Sequence, residues 1–402
     1  MSPSGRTDDG PAPSASGAAA GLREADFVRV LSRADGDCLA AAGLLARALA
    51  ERGVPYQIRV GRFGETLADG DTETDSADTT VGIGLDAAAD THLPGEATPA
   101  SVTAFDVANE LGGSPDPVLA LAGVAAAGHP VGGGESAHVL EQARDAGLKR
   151  RPGVGVPTAD LADGLAHSTL AHAEYSGDAD AVQAALAELG LPARLGDSAR
   201  RTIASEFALA VAGADAATER AAEAVERALR PHAIADDAPD DESDGSAGPN
   251  APFATVEGYA DVLNAVARER PGTGVALALG HDARADALDA WRDHAAAAHR
   301  VLREATTGRY DGLFVLRTNE APAETVARLL RDFRSPEPVA LVVTETEAAA
   351  TAVEDAGVGA AMEEAAQAVG GSGGGTSDRG YAQFDHERDA KEFLTAFREA
   401  RA

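Results

Sequence analysis

The stretch from Phe27 to Gly43 constrains the fold more than any other. Phe27-Val28-Arg29-Val30-Leu31 reads as an apolar strand. It runs straight into Ser32-Arg33-Ala34-Asp35-Gly36-Asp37, and then into a small-residue helix over 39–53. A strand that delivers its carboxyl end into a polar turn and then a helix is the opening unit of a parallel sheet. Ligands of open α/β sheets bind outside those carboxyl ends. Asp35 and Asp37, two residues apart there, have the chemistry to neutralise a hard divalent cation. The alternative is that one of them caps the helix that follows.

The alternation continues. Strands are expected over 28–31, 56–60 and 80–85, the last ending at Asp86. Helices are expected over 98–111, 118–127 and 136–146, and an acidic loop over 64–78. Longer helical propensity covers 179–189 and 198–226. A second alternating block follows: helices over 256–268, 282–306, 324–331, 359–369 and 388–401, and strands over 274–279, 311–317, 339–345 and 380–384. The fold class is therefore α/β, with a parallel sheet flanked by helices and a smaller second α/β domain. The expected division is a disordered tail over 1–24, a first α/β domain over 25–197, a bridging helix over 198–232, an acidic linker over 233–252 and a second domain over 253–402.

Composition bounds the setting. The 402 residues carry a formal net charge of -31 and only two lysines, Lys149 and Lys391. Such an acidic surface fits a cytoplasm at very high salt, where screening tames self-repulsion. The charge leaves room for a local basic patch that meets nucleic acid. Cys38 is the single cysteine, so no internal disulfide forms. No apolar run reaches the roughly 18 residues that span a bilayer. A cytoplasmic protein with no membrane association is expected.

Several other residues carry candidate chemistry. Asp86 at its strand end, and His92 in Ala89-Asp90-Thr91-His92-Leu93-Pro94-Gly95, are further potential metal ligands. A turn aspartate and an exposed loop histidine are the plainer alternatives. Lys149-Arg150-Arg151 is the densest positive cluster and suits phosphate; it equally suits the negative end of a helix dipole. Gly370-Gly371-Ser372-Gly373-Gly374-Gly375-Thr376 lies inside the second block, where glycines let a backbone approach a phosphate. Arg268 and Arg379 are placed to supply charge to such a site.

The order of these features resembles the DHH phosphoesterase superfamily, in its archaeal RecJ-like single-strand exonuclease branch. Residues 32–43 look like that family's opening His-x-Asp-x-Asp-Gly motif. Residues 119–127 look like the helix that ends in a Gly-Asp metal motif. Residues 165–169 with 175–178, and 256–268 with 274–280, are similar to the family's middle segment and to the start of its DHH-associated domain. Residues 371–376 resemble its Gly-Gly-Gly-His substrate loop. The resemblance implies a two-domain clamp on single-stranded DNA or RNA, with manganese or magnesium in an active member.

The departures are systematic. Arg33 stands where the first histidine ligand is expected, and Cys38 where a glycine is. No Asp-His-His triplet occurs; Asp90-Thr91-His92 is its nearest remnant. Ala127 replaces the fourth motif's aspartate and Thr376 the loop histidine. Asp35, Asp37, Asp86 and His92 are the residual metal candidates; Lys149, Arg150, Arg151, Arg268, Gly373, Gly374, Gly375 and Arg379 are the phosphate candidates. Two-metal hydrolysis needs several convergent ligands per ion. The expectation is a catalytically degenerate protein, with manganese or magnesium as the cofactor only if it is active. It binds single strands or serves as a scaffold subunit beside replication or RNA-processing proteins. The alternative is an active manganese-dependent 5′–3′ exonuclease with an altered site.

Overall fold

A computed structural model describes residues 15–63, 78–85, 87–192, 195–213, 218–234, 252–385 and 390–401. Its first sheet holds four parallel strands, β1 (Phe27–Arg33), β2 (Tyr56–Gly61), β3 (Asp78–Ile83) and β4 (Thr91–Leu93), in the order β2-β1-β3-β4. Val28, Val30, Val81 and Ile83 are fully buried. The helices Gly36–Glu51, Ala100–Glu110 and Pro117–Ala126 complete this core with Leu39, Leu44, Leu45, Phe105 and Leu121. Small residues let these helices approach closely. A Cβ at Gly43 would sit 2.6 Å from the Ala278 Cβ, and one at Gly123 would sit 2.5 Å from Ser101.

A short ribbon of β5 (Lys149–Arg150) and β6 (His232–Ala233) closes the middle of the chain. The second sheet has six strands in the order β11-β12-β10-β9-β8-β7. They are β7 (Thr306–Tyr310), β8 (Leu313–Arg317), β9 (Val339–Val343), β10 (Glu347–Ala352), β11 (Ser372–Gly375) and β12 (Arg379–Gln383). Only the β8–β9 pair is parallel. Its two faces follow the period of two. Ala340, Val342 and Ala349 face the helix Ala323–Phe333 and share one apolar cluster with Ile203 and Phe207 of the helical middle of the chain. Val339, Leu341, Val343 and Ala348 face the helices Val358–Ala368 and Ala390–Ala400. Among the described residues, no helix is long and apolar enough to cross a membrane.

Four expectations are corrected. Residues 15–23 of the expected tail form the helix Ala15–Arg23, because Ala18, Ala19 and Leu22 make one apolar face that docks on the first core. Residues 274–279 belong to a helix, Pro271–Ala278, rather than a strand. Proline suits the first helical turn, and Gly274 seats this helix against Leu39 and Val266. The expected bridge over 198–226 is two helices, Asp197–Ala212 and Glu219–Ala228. The second lobe also begins later than residue 253. The helices Val256–Glu269 and Pro271–Ala278, and Arg284–Glu304 as far as Trp291, bury their apolar faces in the first core. The acidic run over 235–251 lies outside the described residues, as do 1–14 and most of the loop over 64–78.

Candidate functional site

Asp35 sits at the carboxyl end of β1 as the N-cap of the Gly36–Glu51 helix. Its Oδ1 accepts from the Cys38 backbone N–H at 2.9 Å. Its Oδ2 accepts from Arg33 Nε at 2.6 Å. Burial alone would raise the Asp35 carboxyl; the Arg33 guanidinium and the Cys38 N–H outweigh it and hold the group below the usual carboxylate range. The Gly36 N–H donates to Asn264 Oδ1 at 3.0 Å, and Asn264 Nδ2 donates to the Ala126 carbonyl at 3.1 Å. A Cβ at Gly36 would lie 2.7 Å from that of Ala126, so only glycine fits this crossing.

Asp37 turns the other way and serves a different helix. Its Oδ2 accepts from the Ala100 N–H at 2.7 Å and its Oδ1 from the Ser101 N–H at 3.0 Å. These are orphan donors in the first turn of Ala100–Glu110. Burial, and then the nearby Asp35 charge, push its carboxyl up to about 7 against those two donors. Both expected metal ligands are thus engaged in holding the fold.

Among the described residues, His92 stands apart from Asp35 and Asp37. His92 lies on β4, two strands from β1, with its ring against Gly82. Asp86 lies outside the described residues. Among the described residues, no group of three or more His, Cys, Asp or Glu side chains is placed to hold a metal. Asp35 carries a guanidinium on one oxygen and a helix N–H on the other. Cys38 is buried, and burial keeps its thiol well above its ordinary range.

The phosphate candidates are split between two places. Arg268 stands at the seam between the lobes, where its Nε donates to Glu324 Oε2 at 2.8 Å. Arg62 Nη1 reaches the same Glu324 oxygen at 3.3 Å, and its guanidinium lies 4.4 Å over the Tyr381 ring. Tyr381 donates to Glu347 Oε2 at 2.6 Å. Burial alone would raise the Glu324 carboxyl; Arg268, then Arg62 and Arg33, hold it below its ordinary value. Arg379 crosses the seam as well, its Nη2 donating to the Ala127 carbonyl at 3.1 Å. Lys149, Arg150 and Arg151 are elsewhere, on and just after β5, and Arg150 Nε donates to the Arg230 carbonyl at 2.9 Å.

The glycine run is a strand, β11, not a loop. Gly373 lies under the Val358–Ala368 helix, where a Cβ would meet the Met362 carbonyl at 2.6 Å. At Gly375, with φ 143°, a Cβ would run into the Arg379 carbonyl. Gly374 faces open space and pairs in register with Tyr381. Of the three, only Gly374 leaves room for a ligand.

Sequence reasoning missed Arg62, Asn264, Glu324, Glu347 and Tyr381. One signal was available for Arg62: it follows β2 as Arg33 ends β1, so both mark the ligand-facing edge of the first sheet.

Comparison with known proteins decides the family. "Uncharacterized protein rrnAC1427" of Haloarcula marismortui is 51% identical over 404 residues, spanning 100% of both chains. The chain belongs to the rrnAC1427 family. The model for the C-terminal domain of rrnAC1427 matches residues 305–399, which begins one residue before β7 and agrees with the later start of the second lobe. Among solved structures, CDC45 from Entamoeba histolytica aligns with a TM-score of 0.53 at 10% identity, covering 95% of this chain and 96% of that one. This rrnAC1427-family chain therefore shares the CDC45 fold. A weaker likeness is to RecJ in complex with Mn2+ from Thermus thermophilus, with a TM-score of 0.45 at 15% identity, over 97% of this chain and 55% of that one.

Proposed function

We propose that this rrnAC1427-family chain is a RecJ-like, DHH-type protein that has lost two-metal hydrolysis and binds single-stranded nucleic acid as a scaffold subunit. The observation that carries this reading is the ion pair of Arg33 on Asp35, beside an Asp37 that caps another helix. A divalent ion there would have to displace a fixed guanidinium and unmake a helix cap. The bilobal frame keeps what binding requires: three arginines, Arg62, Arg268 and Arg379, and an aromatic ring, Tyr381, line the seam. Arginine forks suit phosphate, and aromatic faces suit bases. The CDC45 likeness supports the frame, and the sequence resemblance supports a setting in replication, repair or RNA handling.

The test is manganese titration by calorimetry at high potassium chloride, paired with a nuclease assay and with oligothymidylate binding followed by anisotropy. The expected result is saturable strand binding with neither stoichiometric manganese nor cleavage. Robust 5′–3′ degradation that is abolished by Asp35→Asn with Asp37→Asn would establish the exonuclease reading instead.

A further inference from the structure

Glu324 is shared by two guanidiniums across the seam. Arg62 and Arg268 both belong to the first lobe and converge on a single oxygen, Oε2, at 3.3 and 2.8 Å. Glu324 belongs to the second lobe, in the first turn of Ala323–Phe333. Two arginines aimed from one body at one anionic oxygen of another have the geometry of an oxyanion clamp. The Glu324 side chain keeps 27% of its exposure, so solvent reaches the contact and exchange for another anion is open.

The surroundings match a strand better than an isolated anion. The Arg62 guanidinium lies 4.4 Å over the centre of the Tyr381 ring, and the Phe63 ring lies 5.7 Å from the same ring. Gly374, opposite Tyr381 in register, has nothing within 4 Å of where a Cβ would stand, so there is open space next to the ring. A phosphodiester beside a stackable aromatic ring is the repeating unit of a single strand.

We propose that Glu324 is an internal stand-in for a phosphate, an autoinhibitory latch that occupies the Arg62–Arg268 clamp until a polyanionic strand displaces it. This deepens the strand-binding reading and rests on it for the identity of the strand. The latch itself requires only a phosphate chain. Glu324 closes the seam by pairing with the first lobe. A strand that takes its place satisfies the same two guanidiniums and releases the N-terminal turn of the Ala323–Phe333 helix.

The experiment uses the full chain with two probes, inorganic polyphosphate and oligothymidylate, at matched potassium chloride. Glu324→Gln is expected to bind both about tenfold tighter than the wild type, because a competing like charge has been removed. Adding Arg268→Gln is expected to abolish the gain. A gain for polyphosphate without one for oligothymidylate upholds the latch and removes the nucleic-acid reading. Unchanged affinity for both probes overturns the latch, whether or not the wild type binds. Should Glu324→Gln fail to fold, hydrogen exchange on the wild type decides. Polyphosphate is expected to speed exchange at the first turn of Ala323–Phe333 while β9 stays protected; equal protection with and without it overturns the proposal.

Discussion

Arg33 Nε lies 2.6 Å from Asp35 Oδ2, so the carboxylate that ends the first strand is neutralised by its own neighbour two residues back. The other oxygen of Asp35 caps the following helix. One side chain thereby joins a strand end, an ion pair and a helix start.

Asp35→Ala is expected to cost about 1–2 kcal/mol, most of it from the lost cap. Asp35→Asn keeps an oxygen for the Cys38 N–H and is expected to cost less. Urea denaturation with a common m-value measures both. Equal losses would show that the ion pair, not the cap, carries the stability.

Asp37→Ala leaves the Ala100 and Ser101 N–H groups unmet in a buried place. Two unsatisfied buried donors cost about 2–4 kcal/mol together. The expected result is a lower urea midpoint and faster amide exchange in the Ala100–Glu110 helix. Unaltered exchange there would contradict the capping role.

His172 and His299 face each other with Nδ1 atoms 3.1 Å apart. His299 Nε2 lies 3.1 Å from the Ser168 carbonyl, which only accepts, so that nitrogen carries the proton. His172 Nδ1–H then donates to His299 Nδ1. Burial, then Arg303 and Arg334, lower the His172 imidazole from 6.5 to about 4. Burial, then His172, lowers His299 well below its ordinary value. In the window from 6.5 down to 4 the unfolded chain takes up protons that the folded chain refuses. Stability is therefore full above 6.5 and falls as the pH drops toward 4, by about 3 kcal/mol for His172. His172→Gln is expected to flatten urea midpoints measured between pH 7 and 4.5. An unchanged slope would remove this pair as the cause.

Gly373→Ala is expected to destabilise by about 1–3 kcal/mol, since its new methyl group meets the Met362 carbonyl. Gly374→Ala meets nothing within 4 Å and is expected to leave the melting temperature within about a degree or two. Differential scanning calorimetry separates the two. Any change of strand affinity in Gly374→Ala then reports on the open space over Gly374.

Arg150→Glu with Arg151→Glu tests the outlying basic patch on β5. If the patch meets the strand, affinity falls and the salt dependence becomes shallower by about two phosphates. Unchanged filter binding would confine recognition to the seam.

The α/β class was legible because apolar strands and small-residue helices alternate with distinct periods over the first half of the chain. The Asp35 cap was legible as one of two readings, since Asp-x-Asp before a helix fits both a cap and a metal. Residues 274–279 misled, because a short apolar run carries no period that separates a strand from a buried helix. The helix Ala15–Arg23 was hidden by its alanines, whose burial depends on the surface that receives them.

The sequence by itself determined the strand and helix alternation of the first half, the arginine at position 33 and the placement of both aspartates at a strand's end. Only the tertiary structure decided that Arg33 occupies Asp35 and that Asp37 belongs to a helix 63 positions away. Only it decided that Arg62, Arg268 and Glu324 share one seam. Local patterns fix dihedrals and burial within an element, whereas side chains distant in sequence become partners only when packing brings their elements together.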